Sequence, residues 1–200
     1  MHSTTTNERR RTMKKSSGIR ALATGAAALI ALLGLAACST PTGPDEDSGA
    51  NMADVMFVQM MIPHHEGAIE MSDLLLSKSG IDPEVVELAE QIKAAQGPEI
   101  EQMEAWLDDW GVPGMGSMDG MDHGGMDGMT DEDMRALEDA SGPEAEELFL
   151  RQMIVHHEGA IDMAEDLIDD GEHPGVRELA ESIIVSQAAE IEQMRSMLDS

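Results

Sequence analysis

The chain has 200 residues, of which 12 are Lys or Arg and 40 are Asp or Glu, so its formal net charge at pH 7 is −28 with His neutral. This acidity argues against nucleic acid and against an anionic lipid surface as partners. Cys38 is the single cysteine, which excludes a disulfide framework and a thiolate metal site, so His and Met would have to bind any soft metal. Two Phe, two Trp and no Tyr leave Leu, Ile, Ala and Met to build the core, which favours helices.

The N-terminal segment, residues 1–37, predicts export. Basic residues precede an apolar run, residues 21–37, that ends in Leu35-Ala36-Ala37-Cys38. That order is typical of a secretory signal, and the run is shorter than the roughly 20 residues of a membrane span. The ending resembles a bacterial lipoprotein box, in which the cysteine becomes the lipidated first residue of the mature protein.

Cys38 is therefore the predicted lipidation site, whether translation begins at Met1 or at Met13. The lipid would anchor the exported chain to the outer face of the bacterial cell membrane. Residues 1–37 hold six of the 12 basic residues and one of the 40 acidic ones, which leaves six basic against 39 acidic residues and a net charge of −33. A mature chain of this charge suits cationic partners.

The first part of the mature chain predicts a tether and two helices. Residues 38–50 lack apolar periodicity and predict a flexible tether. A helix is predicted from about Met52 to Ser79, and Pro63 should kink it. A second helix should begin at Asp82-Pro83-Glu84, which offers a capping side chain, a first-position proline and an early acid, and should end near Trp110.

Gly97-Pro98 lies inside the second predicted helix. The corresponding stretch later in the chain, Ser186-Gln187-Ala188, has no helix breaker. We therefore expect a kinked but continuous helix. Residues 112–130 then form a low-complexity Met/Gly-rich linker, and a short helix should run from Thr130 to about Ala140.

The second half of the chain repeats the first. Phe149 to Met163 matches Phe57 to Met71, and the pattern Gln-x-x-Glu-Ile-x-x-Met occurs at Gln96–Met103 and at Gln187–Met194. Each repeat (51–111 and 143–200) predicts a helical hairpin that cannot bury both apolar faces alone. The expected fold of residues 51–200 is therefore all-α, a four-helix bundle of two hairpins joined by the Met-rich loop.

The repeated motif Met-Ile-x-His-His-Glu-Gly-Ala-Ile-Glu/Asp-Met predicts a metal site. At 100° per residue, His64 and His65 share a face with methionines, whereas Glu66 and Glu70 point away. Imidazole and thioether together select Cu(I), and Ag(I) by analogy. The alternative is that each Met or His only packs in the core and binds no metal. The candidate ligands are Met61, His64, His65, Met71 and Met103 in the first repeat and Met153, His156, His157, Met163 and Met194 in the second.

The linker is a second candidate site for soft metal. Its Met-x-x-Met spacing resembles the methionine motifs of extracellular copper-uptake and copper-tolerance proteins, and a flexible strand can wrap several sulfurs around Cu(I). The alternative is a connector without a ligand role. The candidate ligands there are Met115, Met118, Met121, His123, Met126 and Met129.

Other metal chemistries fit less well. A di-iron carboxylate bundle needs Glu-x-x-His pairs, but Met61 and Ile62 precede His64 and His65 by three residues. A hemerythrin-like site wants His and Glu four residues apart, and that spacing is missing too.

The two repeated motifs resemble domain-of-unknown-function family 305 over about residues 51–199. The resemblance implies a ferritin-like fold and, from copper-binding periplasmic members linked to copper resistance, Cu(I) and Ag(I) binding through the positions above. We predict a copper-binding protein that sequesters or buffers the metal outside the cell, not an enzyme; a copper-handling protein is a candidate partner. The alternatives are a metal-independent helical interaction lipoprotein and a cuprous oxidase.

Overall fold

A computed structural model describes Pro44 and residues 48–114 and 130–200, which contain five helices and no strand. The helices are α1 (Met52–Leu76), α2 (Pro83–Asp109), α3 (Asp131–Asp139), α4 (Pro143–Asp170) and α5 (Pro174–Leu198). The all-α prediction is confirmed. The predicted signal peptide, the lipidation site Cys38 and the linker ligands lie outside the described residues; these ligands are Met115, Met118, Met121, His123, Met126 and Met129.

The helices start where capping chemistry predicts. Asn51 and Asp54 form a capping box at α1, and Thr130 forms one with Asp133 at α3. The Asp82 side chain accepts from the Glu84 N–H at the start of α2. The first helix ends at Leu76, three residues before the predicted end.

Prolines inside α1 and α2 leave both helices continuous. Pro63 lies within α1, and α2 runs through Gly97-Pro98, as the comparison of the repeats predicted.

Of the described helices, none is long and apolar enough to cross a membrane.

The helices pack as two hairpins. α1 packs on α2, and α4 packs on α5; the two hairpins meet through α1 and α4, and α3 lies against α4 and α1. The hairpin prediction is therefore confirmed, with the short helix α3 added to the four main helices.

Two apolar cores fill opposite ends of the bundle. The α3-end core joins the second half of α1 to the first half of α4. The tryptophan-end core joins the first half of α1 to the second half of α4. The α3-end core includes Ala68, Met71, Leu75, Leu88, Ile92, Leu137, Phe149, Met153, Ile191 and Met194. The tryptophan-end core includes Val55, Val58, Met61, Met103, Leu107, Trp110, Ala160, Ala164, Val176 and Ile183.

A buried carboxylate ties the two repeats together at the tryptophan end. Asp54 Oδ2 accepts hydrogen bonds from the backbone N–H groups of Asn51 at 2.8 Å and of Glu172 and His173 at 3.1 Å each. A Cβ at Gly171 would lie 2.8 Å from Asp54 Oδ1, so only glycine fits this close approach. The α4–α5 connection is thereby fixed to the start of α1.

Candidate metal centre

A buried polar layer separates the two apolar cores. On every main helix, one or two buried polar side chains lie between residues of the α3-end core and residues of the tryptophan-end core. Each side chain of the layer is at most 2% exposed. The layer consists of His64, His65, Gln96, His156, His157 and Gln187.

His64 and His156 meet across the boundary between the repeats. Their ring centroids lie 3.7 Å apart, and the ring planes are inclined by 41°. Both nitrogens of both rings are buried and have no hydrogen-bond partner among the described residues. The two rings therefore bring four unpaired nitrogens together where α1 packs on α4.

Burial keeps these two imidazoles neutral. Burial, and then the nearby His65 and His157, lower the pKa of His64 to about 3. Burial, and then His64 and His157, lower the pKa of His156 well below its ordinary value of 6.5. A neutral imidazole has one unprotonated nitrogen, which is the form that binds metal ions.

The other histidine of each pair is held by a glutamate of the neighbouring helix. His65 Nε2 lies 2.8 Å from Glu99 Oε2, and His157 Nε2 lies 2.6 Å from Glu190 Oε2. A carboxylate can only accept, so Nε2 donates, and a ring that carries this single proton keeps a lone pair on Nδ1. Within the described chain, Nδ1 of both rings is buried and unpaired. Carboxylates orient metal-binding histidines in this way.

Two buried amides complete the layer. Gln96 Nε2 and Oε1 and Gln187 Oε1 have no hydrogen-bond partner in residues 48–114 and 130–200. Unpaired buried amides are costly, by about 1–3 kcal/mol for each group. The layer is therefore much less well satisfied than a structural polar network would be.

Methionines flank the layer on both sides. Met61 and Met103 belong to the tryptophan-end core, and Met153 and Met194 belong to the α3-end core; all four are fully buried. Met71 is also buried, in the α3-end core, whereas Met163 is only partly buried against the tryptophan-end core. The two repeats therefore place this last pair of candidate ligands in different surroundings.

A glycine leaves space next to His64. A Cβ at Gly159, in α4, would lie 3.5 Å from His64 Nε2. Glycine thus keeps that side of the ring open where a larger residue would touch the nitrogen. Glu66 and Glu70 are exposed, as the helical periodicity predicted.

The donor types of the layer fit a soft metal ion. In the described part of the chain, no group of three or more His, Cys, Asp and Glu side chains is placed to hold a metal ion. Neutral imidazoles next to thioethers are the set that Cu(I) prefers.

Comparison with known proteins identifies the family. The sequence profile of the family described as domain of unknown function (DUF305) matches residues 54–198. The chain belongs to DUF305. CopM in its Cu(I)-bound form is 36% identical, covers 73% of this chain and 95% of its own, and superposes with a TM-score of 0.60. CopM is also known in Cu(II)-bound and Ag-bound forms.

Two further relatives widen the comparison. A Streptomyces coelicolor DUF305 protein that is thought to be secreted is 34% identical over 74% of this chain and 91% of its own, with a TM-score of 0.66. An uncharacterised protein of Acanthamoeba polyphaga mimivirus is 41% identical over 51 residues, which are 26% of this chain and 34% of that protein. The match therefore spans about a third of this curated relative.

The ligand prediction missed the two glutamines of this DUF305 layer and the two glutamates that hold its histidines. Glu99, Glu190, Gln96 and Gln187 lie at the layer or hold its histidines. The signal that could have found them is the repeated Gln-x-x-Glu-Ile-x-x-Met motif, whose Gln and Glu lie one turn apart and share a helix face.

Proposed function

We propose that this DUF305 protein binds Cu(I), and Ag(I) by the same chemistry, and sequesters or buffers the ion. The observation that supports this most strongly is the contact of His64 with His156 inside the polar layer, with every ring nitrogen buried and unpaired in the described chain. A core that served packing alone would place apolar side chains there, since unpaired polar groups cost about 1–3 kcal/mol each. A bound ion would satisfy the one lone pair that each neutral imidazole carries.

The relatives support the same chemistry. CopM has been crystallised with Cu(I), with Cu(II) and with Ag, and it shares more than a third of its sequence with this chain. The histidines of the layer and the methionines that flank it favour the monovalent ions over Cu(II), because thioethers are soft ligands. We therefore assign Cu(I) as the cargo.

The two repeats would contribute to one joint centre. Rings whose centroids are 3.7 Å apart are too close for each to serve an independent, separately solvated ion. His64 and His156 would bind the ion, Glu99 and Glu190 would orient the other two rings, and buried thioethers of Met61 and Met153 would complete the coordination.

The site of action would be outside the cytoplasm. The signal segment and the box ending in Cys38 support export and lipid anchoring to the cell membrane, and the methionines of residues 115–129 would gather the ion or pass it to a copper-handling protein. We propose storage and transfer without turnover.

A Cu(I) titration against a competing chelator tests the buried centre. In the mature chain, changing His64, His65, His156 and His157 together to Ala should weaken binding at least 100-fold. His173→Ala, outside the layer, is the matched control and should bind as the wild type does. Unchanged stoichiometry and affinity in the fourfold variant would rule out the centre.

Two further measurements separate the alternatives. Deleting residues 115–129 should remove only additional, weaker equivalents of Cu(I); loss of all binding would make the bundle a scaffold for a linker site. Oxygen consumption in the presence of excess Cu(I) should stay at the rate of the buffer. Sustained turnover would instead support a cuprous oxidase.

A further inference from the structure

We propose that three methionines on the outer side of α1, Met52, Met56 and Met60, form a surface site for Cu(I) and Ag(I) that loads the buried centre. This thioether track is additional to the ligands considered above, and its loading role rests on the proposed function.

The track is exposed where the buried centre is not. Met52 is 56% exposed and Met56 is 52% exposed, while Met60 is partly buried and the next residue, Met61, is fully buried. In the part of the chain that the structure describes, the exposed large apolar residues are Met52, Met56, Val155 and Val185. Half of them are thus thioethers on adjacent turns of one helix.

The helix geometry allows neighbouring thioethers to share one ion. Residues four apart are stacked on the same face, with Cβ atoms about 5–6 Å apart. Methionine has three rotatable bonds, so two sulfurs at this spacing can converge. Met52 with Met56, and Met56 with Met60, each offer such a pair.

The track also leads along α1 towards the buried polar layer. Each step of four residues advances about 6 Å along α1. Met60 is followed by buried Met61, and His64 lies one turn further on. A soft ion that moves between thioether pairs would thereby pass from solvent to the layer, where His64 is only 2% exposed.

The second repeat shows that the fold does not require these methionines. The positions that correspond to Met56 and Met60 are Leu148 and Gln152. Leu148 packs on the α3-end core, and Gln152 Nε2 donates to the Asp133 carbonyl of α3 at 3.0 Å. This face of α4 is covered by α3 and has no thioether, whereas the same face of α1 presents thioethers to solvent. The asymmetry points to a ligand role rather than to packing.

The test follows methionine methyl groups during metal addition. The mature chain, labelled with carbon-13 at the methionine methyls, is titrated anaerobically with Ag(I), which replaces Cu(I) without redox chemistry. The Met52 and Met56 methyl signals should shift at the first substoichiometric additions. Methyl signals that stay fixed until the imidazole signals have finished shifting would overturn the proposal.

The loading role needs a kinetic comparison. The variant Met52→Leu/Met56→Leu/Met60→Leu should fill the buried centre at least tenfold more slowly than the wild type and should reach the same final occupancy. Met134→Leu/Met197→Leu, which alters partly buried methionines elsewhere, is the matched control and should load at the wild-type rate. Wild-type loading by the track variant would refute the route.

The two proposals fail in different ways. In His64→Ala/His156→Ala, the methyl signals of Met52 and Met56 should still shift, because the surface site does not need the buried rings. If these signals shift in the wild type while its imidazole signals never do, the proposed function fails and the surface site stands. If only the imidazole signals shift in the wild type, the surface site fails and the proposed function stands.

Discussion

Replacing Gly159 by alanine should separate the stability of the bundle from its capacity to bind metal. Gly159 lies in the interior of α4, where alanine is favoured over glycine by about 0.5–1 kcal/mol. The new Cβ would lie 3.5 Å from His64 Nε2, which is an ordinary van der Waals distance. The metal-free protein should therefore tolerate the methyl group without strain.

The same methyl group should hinder the metal. It would occupy the open space beside His64 Nε2, through which an ion would have to approach that nitrogen. We expect Gly159→Ala to raise the melting temperature of the metal-free protein by about 2–4 °C. We expect it to weaken Cu(I) binding at least tenfold, which corresponds to about 1.4 kcal/mol. Greater stability with weaker binding is the opposite of what general damage to the fold would produce.

Thermal unfolding with and without Ag(I) measures both effects in one experiment, because a ligand that binds only the folded state raises the melting temperature. Gly97→Ala is the matched control: this helical glycine has no heavy atom within 4 Å of its Cβ position in the described chain, so metal binding should be unchanged. Wild-type affinity in Gly159→Ala would refute an approach to Nε2 from this side. A lower melting temperature of the metal-free variant would refute the tolerance inferred from the distance.

Three further predictions concern the metal-free protein. The pKa of His64 is about 3 in the folded protein and about 6.5 in the unfolded chain, so the unfolded state binds more protons between these pH values. The free energy of unfolding measured with urea should therefore be constant above pH 6.5 and should fall towards pH 3, by up to about 5 kcal/mol for this group alone. His64→Leu/His156→Leu should flatten that pH dependence and stabilise the metal-free protein by roughly 1–3 kcal/mol or more, since buried unpaired nitrogens are removed; a loss of stability would show that they are satisfied. Asp54→Ala should destabilise it by about 2–4 kcal/mol, because the N–H groups of Glu172 and His173 lose their acceptor, and unchanged unfolding would contradict this.

The helices could be predicted from local chemistry because their ends are local events. The side chains of Asn51, Asp82 and Thr130 cap their helices, because each accepts a hydrogen bond from a backbone N–H two or three residues later. Continuity through Gly97-Pro98 needed the repeat, since proline alone argues for a break. The repeat also predicted the hairpins, because two half-exposed apolar stripes require each other.

The sequence could not assign the two glutamates that bind the layer's histidines, because helical periodicity predicts which face a residue lies on but not its partner. Glu99 and Glu190 have side chains that are 20% and 18% exposed, at the edge of the apolar stripe of their helices. Their hydrogen bonds to His65 and His157 depend on how α2 and α5 are rotated against α1 and α4. That rotation is a tertiary property, set by the packing of the two cores.

The repeat misled at Met71 and Met163, which have equivalent positions in the motif. Only the α3-end core, where Met71 is buried, is covered by α3, whose Leu137 is fully buried there. Met163 lies at the tryptophan end and stays partly buried. Symmetry in the sequence therefore predicts equivalent backbone positions but not equivalent burial.

The position of the polar layer bears on why the chain tolerates it. On each main helix, apolar core residues lie on both sides of the layer, so the two cores can fold the bundle without stabilisation from the layer itself. The Nε2 atoms of His65 and His157 donate to Glu99 and Glu190, which satisfies one nitrogen on each of these two rings, and the remaining ring nitrogens stay unpaired within the described residues. A layer with a purely structural role would have hydrogen-bond partners for these buried nitrogens. A layer that is held open by two stable cores, with lone pairs already oriented, instead reduces the reorganisation that metal binding requires.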